Sequence, residues 1–419
     1  MSSIFDLDEF KPFAARYQHR VTELVRRRGY YDGTVYKKLK TFLGSILGPE
    51  APKLYQGIKP LYLPLARAVD VDAGIIPGGW SFGEDAPDDW AAARDTVFAW
   101  SAWQTDGVLY VHYGAQYGIS GLKVVDDRKA SQVLVKPVDP TRFLLVGNGR
   151  YDPTPRLAIW VEETEDARGE VFEYAEVIDA GAIRTFRDGE PAGFEGREAE
   201  YPNELGFVPF VEVRHIETGE ALGESTFQKA IPLLDEVNEL ASYLADIIKK
   251  HAEPQWAILG AEATDLVHSG DNVWFIPGGG DAKALVARVD IAGVLEFVRE
   301  VRDNVHGALP ELAFDELRKK DQIATATLEL QMMELVLKIK RTRPNYDDGL
   351  VRALRRVGQA AAGMGLSDIA VLDDEALALD DERTILPLDP KTAMELEMMQ
   401  LALEQQRAMG MAGEGVGIG

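Results

Sequence analysis

Apolar residues recur at steps of three and four through Phe227, Ile231, Leu234, Val237, Ala241, Leu244 and Ile248. This spacing predicts one long helix running from a cap at Gly223-Glu224-Ser225 to about Lys250. Leu233, Leu240 and Ile247 widen its apolar stripe, while Asp235, Glu239, Ser242 and Asp246 line the opposite face. Such a helix would be roughly 40 Å long, and a stripe that broad needs neighbours on several sides. A second helix is predicted from Ile291 to about His306, with Val294, Phe297, Val298, Val301 and Val305 inward. A third runs from Ile323 to Arg343, Pro344 interrupts it, and the pattern resumes from Tyr346 to Gly363.

The first half of the chain has a different texture. A basic helical segment occupies residues 11–40, broken at Gly29-Tyr30-Tyr31-Asp32-Gly33 by a helix stop and a turn. Prolines at 49, 52, 60, 64, 77 and 87 argue against long regular elements there. A helix from Pro87 to Gln104 places Trp90, Val97, Trp100 and Trp103 at helical spacing, a core stripe. From Gly107 to Val213 short alternating or apolar runs predict antiparallel strands, beginning with Val108–Gly114 and including a hairpin turn at Asp188-Gly189. Residues 251–290 read as strand, short helix, strand, Gly-rich turn, strand. Gly278-Gly279-Gly280 precedes neither a phosphate-loop Lys nor a dinucleotide fingerprint, so it is read as a hairpin turn. Runs of strands followed by runs of helices make an α+β chain.

Composition removes whole classes of chemistry. The 419 residues carry 69 Asp and Glu against 45 Lys and Arg, a formal charge of −24. That excludes a protein gripping nucleic acid through bulk positive charge, though not one that lets it slide past. There is no cysteine, which excludes disulfides, thiol nucleophiles and iron–sulfur clusters. The six histidines form no i,i+4 pair, and no phosphate loop, nucleophile elbow or dinucleotide fingerprint occurs. Acidic pairs such as Asp88-Asp89, Asp126-Asp127, Asp347-Asp348 and Asp373-Asp374 are adjacent rather than spaced as an acid and a base. No catalytic residue, metal or cofactor is expected. The N-terminus lacks an apolar core of signal-peptide length and no run approaches ~18 apolar residues, so the expectation is a soluble, intracellular chain. Two basic clusters stand out, Arg26–Arg28 and Arg318–Lys320, each a solvated charge run or a contact with an acidic partner. Residues 373–397 are strongly acidic, and the chain ends in GMAGEGVGIG, a tail expected to be disordered.

The order of motifs resembles the portal proteins of tailed bacteriophages, of the siphophage type. The resemblance rests on Arg28-Gly-Tyr-Tyr-Asp-Gly33 after the first helix and Gly118-Ile-Ser-Gly-Leu-Lys123 leading to Val138-Asp-Pro140. Leu205-Gly-Phe-Val-Pro-Phe210, Gly223-Glu-Ser225 and Ile231-Pro-Leu-Leu-Asp-Glu-Val-Asn238 follow in order. Pro254 then closes the long helix before Ile258-Leu-Gly260, and Ala324-Thr-Ala-Thr-Leu328 opens the later one. It spans roughly residues 10–360, and the motifs are specific through their order rather than singly.

The resemblance implies a ring, usually a dodecamer, at one capsid vertex. It implies a wing over 1–222 and stem helices over 223–250 and 291–307. A clip over 251–290, a tunnel loop over 308–322, long wing helices over 323–363 and a short crown with a flexible tail over 364–419 complete it. The ring would be a virion component assembled in the bacterial cytoplasm. Its partners would be the terminase motor, major capsid and scaffold proteins, a head–tail adaptor and double-stranded DNA in transit, with no membrane. Asp235, Glu239 and Asp246 are candidates to line the channel, though the wet side of an amphipathic helix elsewhere fits their spacing equally. Arg318, Lys319 and Lys320 are candidates for transient phosphate contact, and Glu262, Asp265 and Asp271 would face the clip's partner. The alternative from another class is a hydrolase-like enzyme with a helical oligomerisation domain, monomeric or dimeric and holding a substrate cleft. A scaffold binding a basic protein through the acidic C-terminus is a third reading.

Overall fold

The computed structural model describes residues 3–36, 62–147, 154–166, 168–194, 196–252, 255–259, 267–268, 274–275, 281–285, 291–312, 332–380, 383 and 385. Among the described residues, four helices come first: α1 (Lys11–Tyr31), α2 (Leu65–Ile75), α3 (Asp88–Ser101) and α4 (Trp103–Tyr117). Nine strands follow up to Arg214. β1 (Ile119–Asp127) sits between β2 (Gln132–Val138) and β9 (Phe210–Arg214) in a three-stranded antiparallel sheet. A second antiparallel sheet runs β3 (Phe143–Gly147), β4 (Pro155–Glu165), β5 (Val171–Asp179), β6 (Ala182–Arg187) and β7 (Glu190–Pro191), with β8 (Glu200–Pro202) also on β6. The β6–β7 hairpin turns on Asp188 at φ 49° and Gly189 at φ 80°, the two left-handed residues that an Asp-Gly turn supplies. The chain is thus α+β.

α5 (Ile231–Ala252) and α6 (Ile291–Ala308) form a helical hairpin. Ile231, Leu234 and Val237 early in α5 share a buried cluster with Val301, Val305 and Leu309 at the end of α6, so the two run antiparallel. Two small ladders stand between them, β10 (Gln255–Leu259) with β13 (Asp281–Leu285) and β11 (Val267–His268) with β12 (Trp274–Phe275). α7 (Met333–Met364) and the short α8 (Ser367–Ala370) close the described chain. No helix of the described residues is long and apolar enough to cross a membrane.

Several sequence expectations are corrected. Residues 108–114, read as a strand, belong to α4. Their buried positions fall at Tyr110, Val111 and Gly114, with Ala115 next, a helical period that outweighs the β-rich composition. The helix expected over 87–104 is two helices, broken where Ala102 turns left-handed at φ 54°. α5 begins at Ile231 rather than at Gly223-Glu224-Ser225, because Gly223 is spent packing against Gly118. Phe297, expected inward, is 47% exposed. Pro344 does not end its helix. It lies on an exposed face of α7, where water can satisfy the carbonyl left without a donor.

α7 is the spine of the body. Leu350, Leu354, Val357 and Ala361 are fully buried in the largest core cluster, with Val97 of α3, Tyr110 of α4 and Leu122 of β1. At Gly349 the helix approaches so closely that an added Cβ would collide with Val213 of β9 and the Tyr110 hydroxyl. Farther along, Arg356 donates to the carbonyls of Val208 and Phe210.

Candidate functional site

The α5–α6 hairpin meets the rest of the molecule through polar contacts that nonpolar packing alone would not specify. On one side, Tyr30 of α1 and Tyr36 each donate a phenol to Asp235, to Oδ2 and Oδ1 respectively, both at 3.0 Å. Burial and the Asp235 charge raise both phenols, Tyr30 to about 12, so both remain donors at any physiological pH. Three residues on, the buried Asn238 accepts from the Tyr62 amide at 2.9 Å and donates to the Tyr62 carbonyl at 3.0 Å. Tyr62 in turn stacks on His306 of α6, with ring centroids 6.0 Å apart, and bonds its Nε2. Both helices are therefore pinned at one end by Tyr30, Tyr36 and Tyr62.

Asp235→Ala would strand two phenols among apolar neighbours, a loss of about 1–3 kcal/mol for unsatisfied buried donors. The expected result is a lower urea midpoint with unchanged slope, and Asp235→Asn, which still offers an acceptor to one phenol, should lose less.

On the other side lies a cluster assembled from five segments. Thr226, just before α5, donates its hydroxyl to Asp72 of α2. That hydroxyl is also 2.7 Å from His215 Nε2, and His215 Nδ1 is 2.8 Å from the Tyr346 hydroxyl of α7. With Thr226 spending its proton on Asp72, His215 donates from Nε2, and in the neutral ring Nδ1 accepts from the Tyr346 hydroxyl, which also lies 3.4 Å from the Val111 carbonyl. Burial pushes the His215 imidazole down, consistent with that form. Lys338 of α7 reaches Glu311, which follows α6, and stands 3.9 Å from Asp72 Oδ2. Asp72 is held below the usual carboxylate range by Lys338 and by its bonds to His215 and Thr226, against the opposing effect of burial. Glu311, fully buried, is raised to about 7 by burial and by the neighbouring Asp72 charge, against the attraction of Lys338. A cleft of about 300 Å³ opens onto this cluster at Thr226 and Lys338, with Ser225, Leu337 and Arg341 also in its wall.

The channel-lining candidates fare differently from one another. Glu239 is exposed on α5, Asp235 is half-buried and engaged with the two tyrosines, and the Asp246 side chain lies outside the described residues. Ser242, grouped with them by spacing, is buried and donates back to the Asn238 carbonyl. Arg318, Lys319 and Lys320, and Glu262, Asp265 and Asp271, lie outside the described residues, as does the Gly278–Gly280 turn. Of the Arg26–Arg28 triplet, only Arg28 is exposed. Arg27 is buried and donates to the carbonyls of Tyr117 at 2.5 Å and Gly223 at 2.7 Å, which corrects its reading as a solvated helix end.

Sequence reasoning missed the Asp72–His215–Thr226–Glu311–Lys338–Tyr346 cluster. One signal was available: Glu311 stands alone in the apolar run Ala308-Leu-Pro-Glu-Leu-Ala313, and an isolated carboxylate there asks for a buried partner.

Residues 109–307, from within α4 to the penultimate residue of α6, match the family described as "Phage portal protein, SPP1 Gp6-like". The resemblance to tailed-phage portal proteins is thereby shown. The matched segment includes both sheets, the whole of α5 and the ladders between the hairpin helices. No curated protein matches the chain. Among solved structures, a chain of "Virion of native gene transfer agent (GTA) particle" is similar at 12% identity and TM-score 0.40, over 91% of this chain and 96% of that one. A chain of "Neck of native GTA particle computed with C12 symmetry" is similar at 14% identity and TM-score 0.41, covering 81% and 85%. A third, from "Neck of empty GTA particle computed with C6 symmetry", stands at 15% and 0.39, covering 85% and 87%. Likenesses this distant bear on no functional question.

Proposed function

We propose that this chain is the subunit of a portal ring at a capsid vertex, through which double-stranded DNA is packaged and ejected. The observation that carries the proposal is the portal-family match over residues 109–307, which takes in nearly the whole α5–α6 hairpin. In this reading the hairpin supplies the stem (223–250 and 291–307) and the ladders between supply the clip (251–290). Residues 1–222 and 323–363 supply the wing, 308–322 the tunnel loop and 364–419 the crown. Terminase and the head–tail adaptor dock at the clip, with capsid and scaffold proteins around the wing. The assembled ring is a virion component built in the host cytoplasm.

Two physical features support the reading. Away from its pinned end, the hairpin exposes Tyr243, Ile248, Leu295 and Phe297, apolar area that a neighbouring subunit would cover. A formal charge of −24 per subunit favours a bore that repels phosphate, so that DNA passes without lodging. Glu239 and Asp246 are the carboxylates proposed to face that bore, with Asp235 adding charge from its fixed position. Arg318–Lys320 would touch phosphates briefly, and Glu262, Asp265 and Asp271 would meet the clip's partner. No catalytic step is proposed.

Native mass spectrometry and negative-stain imaging of the purified full chain test this. The expected result is a closed ring with a central hole, twelve-fold or close to it. A monomer or dimer persisting at high concentration would overturn it.

A further inference from the structure

The cluster beside α5 holds more negative charge than its donors can balance. Asp72 and Glu311 bring two carboxyl groups, Lys338 brings one ammonium, and burial favours the neutral form of His215, whose Nδ1 then accepts from Tyr346. With both carboxyl groups ionised the interior carries one uncompensated charge, and Asp72 Oδ1 and Glu311 Oε2 are buried without a hydrogen-bond partner among the described residues. A single proton would neutralise the set. The cleft at Thr226 and Lys338 gives water a route to deliver it.

The position of the cluster matters as much as its charge. Thr226 leads into α5, Glu311 follows α6, and Asp72, His215, Lys338 and Tyr346 belong to the body, so these bonds are the joint between hairpin and body. We propose that the cluster is a proton-operated latch, in which one proton taken up by the Glu311–Asp72 pair tightens this joint and its loss loosens it. The inference concerns the fold of a single subunit and stands whether or not the ring reading does.

Other groups facing the cluster change little in the window that tests it, and what change they make is shared by the Glu311 variants. Glu311, raised above its unfolded value, contributes stability that is full at low pH and is lost as pH rises through about 7. Asp72, held low, is ionised folded and unfolded above pH 6.5, and its own contribution is lost only on strong acidification. His215, pushed down, is neutral in the fold. Its contribution is lost as pH falls through 6.5, where the unfolded chain takes a proton; the small part still recovered above pH 6.5 opposes the Glu311 effect and is common to wild type and Glu311 variants. Tyr346 and Tyr110, both raised by burial, remain protonated. His306, on the preceding helix, is turned to Tyr62 rather than to Glu311.

The experiment is thermal unfolding and hydrogen exchange of the full chain between pH 6.5 and 8.5, with exchange corrected for its intrinsic pH dependence. Relative to Glu311→Gln, the wild-type midpoint should fall on the order of 1–2 °C across this range, and amides of α5 and α6 should lose roughly fourfold protection. Glu311→Gln, which mimics the protonated acid, should raise the midpoint at pH 8.5 and remove the difference in slope and protection. Asp72→Asn, which relieves the same excess charge from the other side, should flatten the slope as well and serves if the first variant does not fold. If Glu311→Gln, or in its place Asp72→Asn, keeps the wild-type slope and hairpin protection, the latch is wrong and Glu311 is an ordinary ion-pair partner of Lys338.

Discussion

Gly118→Ala should bring the protein close to unfolding at room temperature. Gly118 ends α4 at φ 81°, a conformation that costs an L-residue about 1–2 kcal/mol. The space is also taken. A Cβ there would collide with the Gly223 carbonyl and the Arg27 guanidinium and lie 2.9 Å from the Glu224 carbonyl carbon. Backbone cannot step aside as a flexible side chain can, so overpacking adds about 1–3 kcal/mol. Because Arg27 ties α1 to this same crossing through Tyr117 and Gly223, the entry to α5 shifts too. A total of about 2–5 kcal/mol is a large part of a domain's usual margin. Urea unfolding checks it, with Gly206→Ala as the reference. Gly206 has φ 72° and open space around it, so that variant pays for backbone strain alone. Equal losses in the two variants would show that the crossing is not tight.

Lys338→Met should be comparably damaging at pH 8. The Met side chain replaces the aliphatic stem but leaves Asp72 and Glu311 facing each other without the ammonium that lies against both. Removing one partner of a buried charge pair costs about 3–5 kcal/mol. The loss should shrink towards pH 5, where Glu311 carries a proton. Combining the change with Glu311→Gln should recover part of it. A double-mutant cycle in urea measures that coupling directly, and simple additivity would mean that the two side chains do not interact.

The fold was legible wherever one period dominated. The Asp-Gly hairpin, the strands from Ser120 onward and the apolar stripe of α5 as far as Leu244 follow from local spacing. Val108–Gly114 was misread because its β-branched and aromatic residues suggested a strand, while its one glycine serves close helix packing. Gly114 faces the Tyr346 phenol. The Pro344 break was misread because a proline rule stated for helix interiors ignores which side of the helix faces water. The cluster at the hairpin's base was beyond local reasoning altogether. Its members at 72, 215, 226, 311, 338 and 346 become neighbours only after the sheets and α7 have assembled. The ordering of motifs that marks the portal family survived this difficulty because it depends on sequence alone.

The close approach at Gly349 gives α7 a mechanical character. Thirty-two residues of continuous helix form a rod about 48 Å long, held closely against β9 and Tyr110 near its middle. Lys338 lies about 16 Å to one side of that grip and Arg356 about 10 Å to the other. A stiff beam held at an interior fulcrum tips rather than slides. Any sideways displacement at the charged end would therefore reappear, reversed and reduced, where Arg356 holds the carbonyls of Val208 and Phe210.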